Sequence, residues 1–576
     1  MGAVFFIAIR RLRSPLVLII LIFAVSTAGL TLIPGVDGQG RPWQPTLFEA
    51  FYFVSYTATT IGFGELPYTF TNPQRLWATV IIFMSVVGWA YLLGSLLGLA
   101  QDKGFQTAIV AARFRRAVLA LREPFYLLCG LGETGLMIAR SLDRLGYRFV
   151  VLDPEERRIQ ELDLEEFAAD PPAFAGDATS PEVLAMAGLL KPECRGVLAL
   201  TNDDGVNLSI AVAARLLHPG LRTIARSDTP LITASMTTVG VHEVINPYRE
   251  FAERLAIAMK APDTHRLLTW LTGPPGAGLR PRVPSPPGRW IVCGYGRFGF
   301  EIVKSIRDGG FDVVVVDPKP ADPIGLHVVR GLGTDADVLR EAGIDDAAGI
   351  VAGTDHDTAN LAIAIAARRI KPGVFVILRQ NLVGNRMLVD AFGADMTMVS
   401  SEIIANECLA ILRTAHLSTF LRIVRARDDA WAQGIVERLR ATVGDQSPEF
   451  WSSAITRADA PGFLDAMKRA GRPVTISDLR RDSTDRNLRS VCLPLLLVRA
   501  DAQVELPADD AELRPGDEIL FAGKRAARRQ MFQLLRNANT AGYVLTGRDR
   551  TRGVVWRMLD RAGAASAGEP PGAGGA

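Results

Sequence analysis

The sequence has few cysteines and few histidines, and neither type is grouped. Five cysteines and six histidines are spread over 576 residues, with no CxxC pair and no histidine at a zinc-binding spacing from a cysteine. The chain also has no excess of charge of one sign, because 64 basic residues stand against 61 acidic ones. These absences exclude a disulfide scaffold, a zinc module and a general basic surface for nucleic acid.

Apolar sequence is abundant, and it is concentrated in the first hundred residues. Hydrophobic residues make up 48% of the chain, and residues 16–33 and 76–100 contain no charged side chain. At about 1.5 Å per residue, both runs are long enough for the roughly 30 Å hydrocarbon layer of a bilayer. The sequence therefore predicts two membrane spans, with a cleaved signal peptide as the alternative for the first.

Basic residues lie before the first span and after the second span. Three precede the first span and four follow the second: Arg10, Arg11, Arg13, Lys103, Arg113, Arg115 and Arg116. Positive charge favours the cytoplasmic side of a membrane. We expect a multi-pass protein of the plasma (inner) membrane with both termini in the cytoplasm.

The segment between the spans contains a third apolar stretch that is too short to cross. Residues 46–58 (TLFEAFYFVSYTA) predict a re-entrant helix, followed directly by TTIGFGE at residues 59–65. Gly62 and Gly64 permit positive φ, so successive carbonyls can turn to one side and form a row of cation ligands. Irregular backbone at membrane depth is stable only where protein buries it or water reaches it, so this segment is more consistent with the lining of a pore than with a loop that faces lipid. The alternative is a simple glycine turn in an unrelated two-span protein.

This order of elements resembles the potassium channel family, whose filter commonly has the sequence TVGYGD. The resemblance implies that the carbonyls of Thr60, Ile61, Gly62 and Phe63, with the Thr60 hydroxyl, replace the hydration shell of permeant K⁺. Phe63 stands where tyrosine is commoner, which removes a phenolic hydroxyl that could brace the filter, and Glu65 replaces an aspartate. We expect these two departures to affect the stability of conduction more than its selectivity.

The sequence after residue 116 contains a duplication. YLLCGLGETG at residues 126–135 matches WIVCGYGRFG at residues 290–299 with an offset of 164, and residues 201–226 match residues 354–379 with an offset of 153. Each copy has a strand, a GxGxxG loop, an amphipathic helix and a second strand that ends in aspartate. The pattern predicts two α/β Rossmann-like folds.

Each copy carries a candidate nucleotide site. The glycine loops allow phosphate to approach a helix N-terminus, and the strand-end aspartate can hydrogen-bond a ribose hydroxyl. The candidate residues are Gly130, Gly132, Gly135 and Asp153 in the first copy and Gly294, Gly296, Gly299 and Asp317 in the second. An acid repels a 2′-phosphate, so we expect NAD(H) or an adenine nucleotide rather than NADP. The alternative is that the glycines only pack helix against strand.

The pore, the glycine loops and the GDAT sequence at residues 176–179 together resemble the RCK (TrkA-N) domains that regulate potassium conductance. The resemblance adds Asp177 to the nucleotide site of the first copy. Glu133 in that loop is unfavourable to a triphosphate, whereas the second copy has Arg297 in its loop but Leu332 in place of the GDAT acid. The sequence leaves open which copy binds nucleotide.

The predicted domains follow this order. They are a pore domain at 1–103, a continuous linker helix at 104–123, a first RCK domain at 124–262, a Pro/Gly-rich linker at 263–288, a second RCK domain at 289–414, a small α+β C-terminal lobe at 415–540 and a tail at 541–576 with a disordered end. Gly88 and Gly94 each weaken the second span, as a gate hinge or as a close-packing site.

A single pore loop cannot enclose an ion, so we expect a homotetramer in the lipid bilayer, with K⁺ as the permeant ion and a small nucleotide as the gating ligand. No enzymatic activity is expected, and no nucleic acid partner. The alternatives are a membrane-anchored NAD-dependent dehydrogenase and a regulatory subunit of a separate potassium uptake system.

Overall fold

A computed structural model describes residues 2–65, 67–273, 276–282, 286–319, 325–413, 415–500 and 502–547. The end of the tail, for which disorder was expected, lies outside the described residues. The chain forms two compact units. The first contains Met1–Glu123, Pro172–Gly176 and Glu182–Gly188, and the second contains the rest.

The first unit is mainly helical. Its helices and short strands before residue 124 are α1 (Gly2–Leu32), β1 (Gly35–Val36), β2 (Pro42–Trp43), α2 (Leu47–Ala58), α3 (Asn72–Gln101) and α4 (Lys103–Ala120). Ala8–Leu32 and Asn72–Gln101 are long and apolar enough to cross a membrane. Both predicted spans are therefore helices of sufficient length, and the short segment between them is the separate helix α2.

Helix α1 begins earlier than the predicted span. It runs from Gly2 through Pro15, although the charge-free stretch begins only at residue 16. Proline inside a helix removes one backbone hydrogen bond but does not end the helix when the flanking residues favour it. The three arginines before the span are consequently on the same helix as the span.

The duplicated sequence consists of copy one (residues 124–262) and copy two (residues 289–414), and the second unit contains all of copy two and most of copy one. The elements of copy one, some of which belong to the first unit, are β3 (Phe125–Cys129), α5 (Glu133–Arg144), β4 (Arg148–Asp153), α6 (Glu156–Leu162), β5 (Ala173–Ala175), α7 (Pro181–Met186), β6 (Cys194–Ala199), α8 (Asp204–Leu217), β7 (Arg222–Arg226), α9 (Pro230–Val239), β8 (Glu243–Ile245) and α10 (Pro247–Lys260).

Copy two repeats this order of strands and helices. Its elements are β9 (Trp290–Cys293), α12 (Arg297–Asp308), β10 (Val313–Val316), β11 (His327–Val329), α13 (Ala336–Glu341), β12 (Gly349–Ala352), α14 (Asp357–Ile370), β13 (Phe375–Gln380), the 3₁₀ turn η1 (Val383–Asn385), α15 (Arg386–Phe392), β14 (Met396–Val399) and α16 (Ser400–Arg413). Helix α11 (Pro262–Thr272) lies between the two copies.

Both copies are doubly wound parallel sheets. In copy two the strands lie in the order β11-β10-β9-β12-β13-β14, and all neighbours are parallel. In copy one the strands of the second unit have the equivalent order β4-β3-β6-β7-β8. The predicted Rossmann-like folds are confirmed.

The central strands are apolar on both faces because helices cover both sides of each sheet. Leu127, Leu128 and Val151 in copy one and Val292 and Val351 in copy two have no exposed surface. Burial of each such side chain stabilises the fold by about 1.5–3 kcal/mol. Continuous apolar runs, rather than alternating ones, are typical of parallel sheets buried in this way.

The last part of the chain is an antiparallel sheet with helices. Its elements are α17 (Ala415–Ala426), α18 (Asp429–Val443), β15 (Glu449–Ala454), α19 (Pro461–Met467), α20 (Ile476–Leu479), β16 (Cys492–Arg499), β17 (Ala502–Glu505), β18 (Glu518–Gly523), α21 (Arg525–Arg536) and α22 (Ala538–Thr546). The strand order is β15-β18-β16-β17. This agrees with the α+β class expected for the C-terminal lobe.

The structure corrects the expected linker at 263–288. Its first ten residues lie in helix α11, where Leu267 and Leu271 are fully buried and Trp270 is nearly so. Farther along, the backbone pairs with residues 445–447, through Leu279 N to Asp445 O at 2.7 Å and Ser447 N to Ala277 O at 2.7 Å. The Gly- and Pro-rich composition concealed both the apolar helix face and the backbone pairing.

Candidate pore and nucleotide sites

Helix α2 is held at its start by a capping box. Thr46 accepts a hydrogen bond from Glu49 N at 3.3 Å, and the Glu49 carboxylate accepts from Thr46 N at 2.8 Å. These two bonds satisfy backbone amides that the helix leaves free. The helix ends at Ala58, directly before the glycine sequence.

Three residues of the glycine sequence have positive φ, at alternate positions. The φ values are 63° at Thr60, 65° at Gly62 and 94° at Gly64. The expected positive φ at both glycines is confirmed. The value at Thr60 was missed because β-branched residues rarely adopt it, and its cost has to be offset by the surrounding structure.

The amide groups of this segment point back toward α2. Ile61 N donates to Tyr56 O at 2.9 Å, and Gly62 N donates to the same oxygen at 3.3 Å. With the amides turned to the helix and φ alternating in sign, the carbonyls can face the opposite side. This is the arrangement that cation coordination by backbone oxygens requires.

The C-terminal end of the segment has two further restraints. The Tyr56 hydroxyl donates to Gly64 O at 2.5 Å. Glu65 accepts from Arg75 Nε at 2.8 Å and from Phe70 N at 2.9 Å. Phe63 has no hydroxyl, and the hydroxyl that restrains this part of the segment comes instead from Tyr56 on α2. Tyr56 was not identified from the sequence, because no pattern indicates the partner of a lone tyrosine on an apolar helix.

The two glycines of the second span differ in their surroundings. A Cβ on Gly88 would lie 2.7 Å from Ile22 Cδ1 of α1, whereas a Cβ on Gly94 would meet nothing within 4 Å. Of the two interpretations left open, Gly88 fits close packing of the spans. Gly94 has no packing contact that would explain it.

The linker helix expected at 104–123 is present as α4, but it is not continuous with the second span. α3 ends at Gln101 and α4 begins at Lys103, while Asp102 between them is extended, with φ −69° and ψ 116°. Asp102 Oδ1 caps α4 by accepting from Phe105 N at 2.9 Å, and Asp102 Oδ2 forms an ion pair with Arg11 at 2.5 Å. Aspartate is a favoured N-cap residue, because its carboxylate accepts from backbone amides of the first turn. Asp102 therefore begins a new helix here rather than extending α3.

The glycine loops of the two copies have the same geometry. Gly130 and Gly294 have φ values of 99° and 95°. A Cβ on Gly135 would overlap the carbonyl oxygen of Gly130, and one on Gly299 would overlap that of Gly294. These four positions therefore require glycine for backbone reasons alone.

The middle glycine of each loop is different, because its surroundings are open. Gly132 and Gly296 are the N-cap residues of α5 and α12, and a Cβ on either would meet nothing within 4 Å. Open space at a helix N-terminus, in front of free amides, fits a phosphate group. The loops thus suit the pyrophosphate of a dinucleotide or an adenine nucleotide.

The strand-end aspartates hold the loops. Asp153 accepts from Leu131 N at 2.6 Å and from Glu155 N at 2.9 Å. Asp317 accepts from Tyr295 N and from Lys319 N, both at 2.7 Å. Asp153 is only 1% exposed, whereas Asp317 is half-buried. A structural role was not foreseen for either residue, and only Asp317 is open to a further hydrogen bond from a ribose.

The third part of each predicted site lies after the next strand. Asp177 is exposed, and its carboxylate accepts from Thr179 N at 2.8 Å. Leu332, which takes the place of this acid in copy two, is also exposed. The residue types differ as the sequence indicates.

A buried charged cluster next to the loops was missed by sequence reasoning. Arg226 and Asp228 form a bidentate ion pair at 2.9 and 3.0 Å, and both are buried. Arg379 donates to the Tyr248 hydroxyl at 3.2 Å. Burial, with the charge of Asp228, raises the pKa of Tyr248. The available signal was that Arg226 and Arg379 are the last residues of the two segments matched at the offset of 153.

Comparisons with known proteins give two families and several relatives. The ion channel family matches residues 17–101, and the TrkA-N domain family matches residues 126–247 and 290–400. "Potassium channel protein 1" of Methanocaldococcus jannaschii is 26% identical over 42% of this chain and 67% of its own length. "Probable potassium channel protein 2" of the same organism is 26% identical over 38% of this chain and 60% of its own length.

A bacterial relative and two solved structures are also similar. "Voltage-gated potassium channel Kch" of Escherichia coli is 24% identical over 33% of this chain and 44% of its own length. "GsuK channel bound to NAD" covers 92% of this chain and 99% of that one, at 16% identity and a TM-score of 0.46. The match to "Crystal structure of the GsuK bound to ADP" covers 69% of this chain and 96% of that chain, at 21% identity and a TM-score of 0.43.

Proposed function

We propose that this chain, a two-transmembrane potassium channel with tandem TrkA-N domains, conducts K⁺ under the control of a nucleotide bound to copy two. The observation that carries the first part is the glycine segment between the spans, with its alternating positive φ and its amides turned toward α2. The carbonyls of Thr60, Ile61, Gly62 and Phe63, with the Thr60 hydroxyl, would take the place of the water around K⁺.

The filter needs more than one chain. A single loop presents carbonyls to one side of an ion only, and symmetric closure by four loops surrounds it. We infer a homotetramer in the lipid bilayer. We infer the plasma membrane as its location, and the basic residues that flank the spans favour both termini in the cytoplasm, with the nucleotide sites on that side.

Two features favour copy two over copy one for the nucleotide. Asp317 is more exposed than Asp153, so its carboxylate can still accept from a ribose hydroxyl. The first residue of α12 is Arg297, whereas the first residue of α5 is Glu133. A cation at a helix N-terminus favours phosphate there, and an anion opposes it. An acid at the ribose disfavours NADP relative to NAD(H) or an adenine nucleotide.

A matched pair of substitutions tests the choice of copy. Gly296→Ala and Gly132→Ala each add a methyl group in open space, so the fold of either loop should tolerate it. In an occupied site the same methyl group would meet the pyrophosphate. We expect Gly296→Ala to weaken NAD binding to the purified channel about tenfold or more, and Gly132→Ala to leave it within about twofold. Calorimetry with the effects reversed would assign the site to copy one.

The dehydrogenase alternative is less well supported. The three curated relatives described above are all named potassium channels. A bound dinucleotide therefore serves as a signal in this proposal and not as a hydride carrier. Turnover of NAD to NADH by the purified protein with a small alcohol or hydroxy acid would contradict this assignment.

A further inference from the structure

The two copies touch each other through their glycine loops. Glu133, at the start of α5, accepts a hydrogen bond from Val383 N at 3.0 Å. Arg297, at the start of α12, forms an ion pair with Asp228 Oδ2 at 3.7 Å. The two loop residues are equivalent by the offset of 164, and the two turns that they contact are equivalent by the offset of 153. The contacts are therefore the two halves of one pseudo-two-fold interface.

The two turns have the same backbone geometry, so they can be compared position by position. Asp204 Oδ1 accepts from Asp228 N at 2.8 Å in copy one. Asp357 Oδ1 accepts from Asn381 N at 2.6 Å in copy two. Asp228 thus corresponds to Asn381, and two residues later Pro230 corresponds to Val383.

Each loop residue fits only the turn of the other copy. Glu133 needs the amide of Val383, and at the equivalent position of copy one Pro230 has no N–H. Arg297 needs the carboxylate of Asp228, and at the equivalent position of copy two Asn381 is neutral. If two first copies paired, Glu133 would also come near Asp228, which has the same charge.

We propose that Glu133 and Arg297 select pairing between unlike copies and disfavour pairing between two first or two second copies. Asp228 is well suited to this role, because its side chain is only 5% exposed and is held by Arg226. A fixed, desolvated carboxylate discriminates strongly between an approaching arginine and an approaching glutamate. Other contacts between the copies, such as that of Arg379 with Tyr248, stabilise the pair.

The selection matters in any assembly that brings several copies together. Eight Rossmann folds in a tetramer offer like and unlike pairings that share the same fold and the same helix faces. Charge complementarity at the loops stabilises the unlike pairing, whereas a pair of second copies lacks it and a pair of first copies brings Glu133 near Asp228. The result does not depend on ion conduction or on a bound nucleotide, so its test is independent of the proposed function.

The test exchanges the two charges in the full-length protein. Glu133→Arg combined with Arg297→Glu keeps the composition and the net charge, but it places a guanidinium at the Val383 amide and a carboxylate beside Asp228. Hydrogen exchange of the peptide containing Val383 is the measurement. We expect its exchange to rise by about fivefold or more, because both contacts are lost together. The matched control is Glu156→Arg with Arg330→Glu, two exposed positions outside the loops, and it should leave the exchange unchanged.

A rescue separates pairing from local damage. Arg297→Glu alone should raise the exchange at Val383, and adding Asp228→Asn, which copies the residue of the other turn, should lower it again. Asp228→Asn alone supplies the reference for the loss of the Arg226 ion pair. Unchanged protection in the charge-exchange variant would overturn the proposal. So would an effect of Arg297→Glu that Asp228→Asn does not reduce, since that effect would arise within copy two.

Discussion

At the scale of single residues, the filter segment shows how a departure from a common motif can be compensated by a neighbour. The motif itself has a phenylalanine where a tyrosine is commoner, and Tyr56 on α2 supplies a hydroxyl to Gly64 O at 2.5 Å. Glu65 is held in turn by Arg75 and Phe70. The C-terminal end of the glycine segment is thus fixed from the helix before it and from the helix after it.

Removal of this one hydroxyl tests its role. In Tyr56→Phe the ring remains and only the bond to Gly64 O is lost, so we expect conduction to decay faster at low external K⁺, by about fivefold if the bond contributes on the order of 1 kcal/mol. Single-channel recording of reconstituted protein measures the decay. Tyr52→Phe is the matched control, because Tyr52 lies one turn earlier on α2 and contacts Phe63 with its ring. Equal decay in both variants would remove Tyr56 from this role.

His265 predicts a pH dependence of stability outside the membrane. Burial, with the charges of Arg254 and Arg280, lowers its pKa from 6.5 to about 4. As the pH falls, His265 is therefore protonated near pH 6.5 in the unfolded chain but only near pH 4 in the folded chain. Stability from this group is complete above pH 6.5 and is lost as the pH falls toward 4.

The expected loss between about pH 7.5 and about pH 5.5 is on the order of 1 kcal/mol. Urea unfolding followed by tryptophan fluorescence measures it, because Trp270 lies on the same helix as His265. The His265→Gln variant should show a smaller difference between the two pH values than the unaltered protein. The same difference in both proteins would show that other groups cause it.

Residue roles were less predictable than residue positions. The glycine loops occur where the sequence placed them, because GxGxxG between a strand and a helix is a specific signal of this fold. The roles of Asp153 and Asp317 in holding the loop backbone were not foreseen, since the same carboxylate can bind either an amide or a ribose. Positive φ at Thr60 and the Arg226–Asp228 pair depend on contacts that no local pattern encodes.

At the scale of elements, the sequence predicted well where periodicity was strong. Two spans, a short helix between them and two sets of buried strands appear at the expected places. The sequence-based prediction was wrong at the ends of some elements. The break at Asp102 and the helix α11 inside a Pro/Gly-rich segment depend on capping and on tertiary burial, both of which override composition.

The joint at Asp102 is the covalent route between the pore and the TrkA-N domains. A flexible Gly/Ser stretch inserted after Lys103 should decouple α4 from α3, and we expect the response of channel opening to NAD to fall at least several-fold. The same stretch inserted at Gly38, in the turn between β1 and β2, serves as the control and should leave the response intact. Single-channel recording with and without NAD decides between the two outcomes. An unchanged response with the slack joint would show that force does not pass through α4.

At the scale of the whole molecule, the chain joins a pore to a duplicated nucleotide fold. The two copies have diverged at their loops. Copy two has Arg297 and the more exposed Asp317, whereas copy one has Glu133 and the buried Asp153. In the proposed account copy two binds the ligand, whereas loop residues of both copies fix the pair. A ligand shifts the pore only to the extent that it binds the open and closed assemblies with different affinity.

The most direct test of the account is the reversal potential of the reconstituted channel with K⁺ on one side, Na⁺ on the other and NAD present. The account predicts a potential set by K⁺, and loss of the current in Gly62→Ala, because a Cβ at a φ of 65° disturbs the row of carbonyls. A reversal potential near zero in the unaltered protein, from equal permeation of K⁺ and Na⁺, would contradict it.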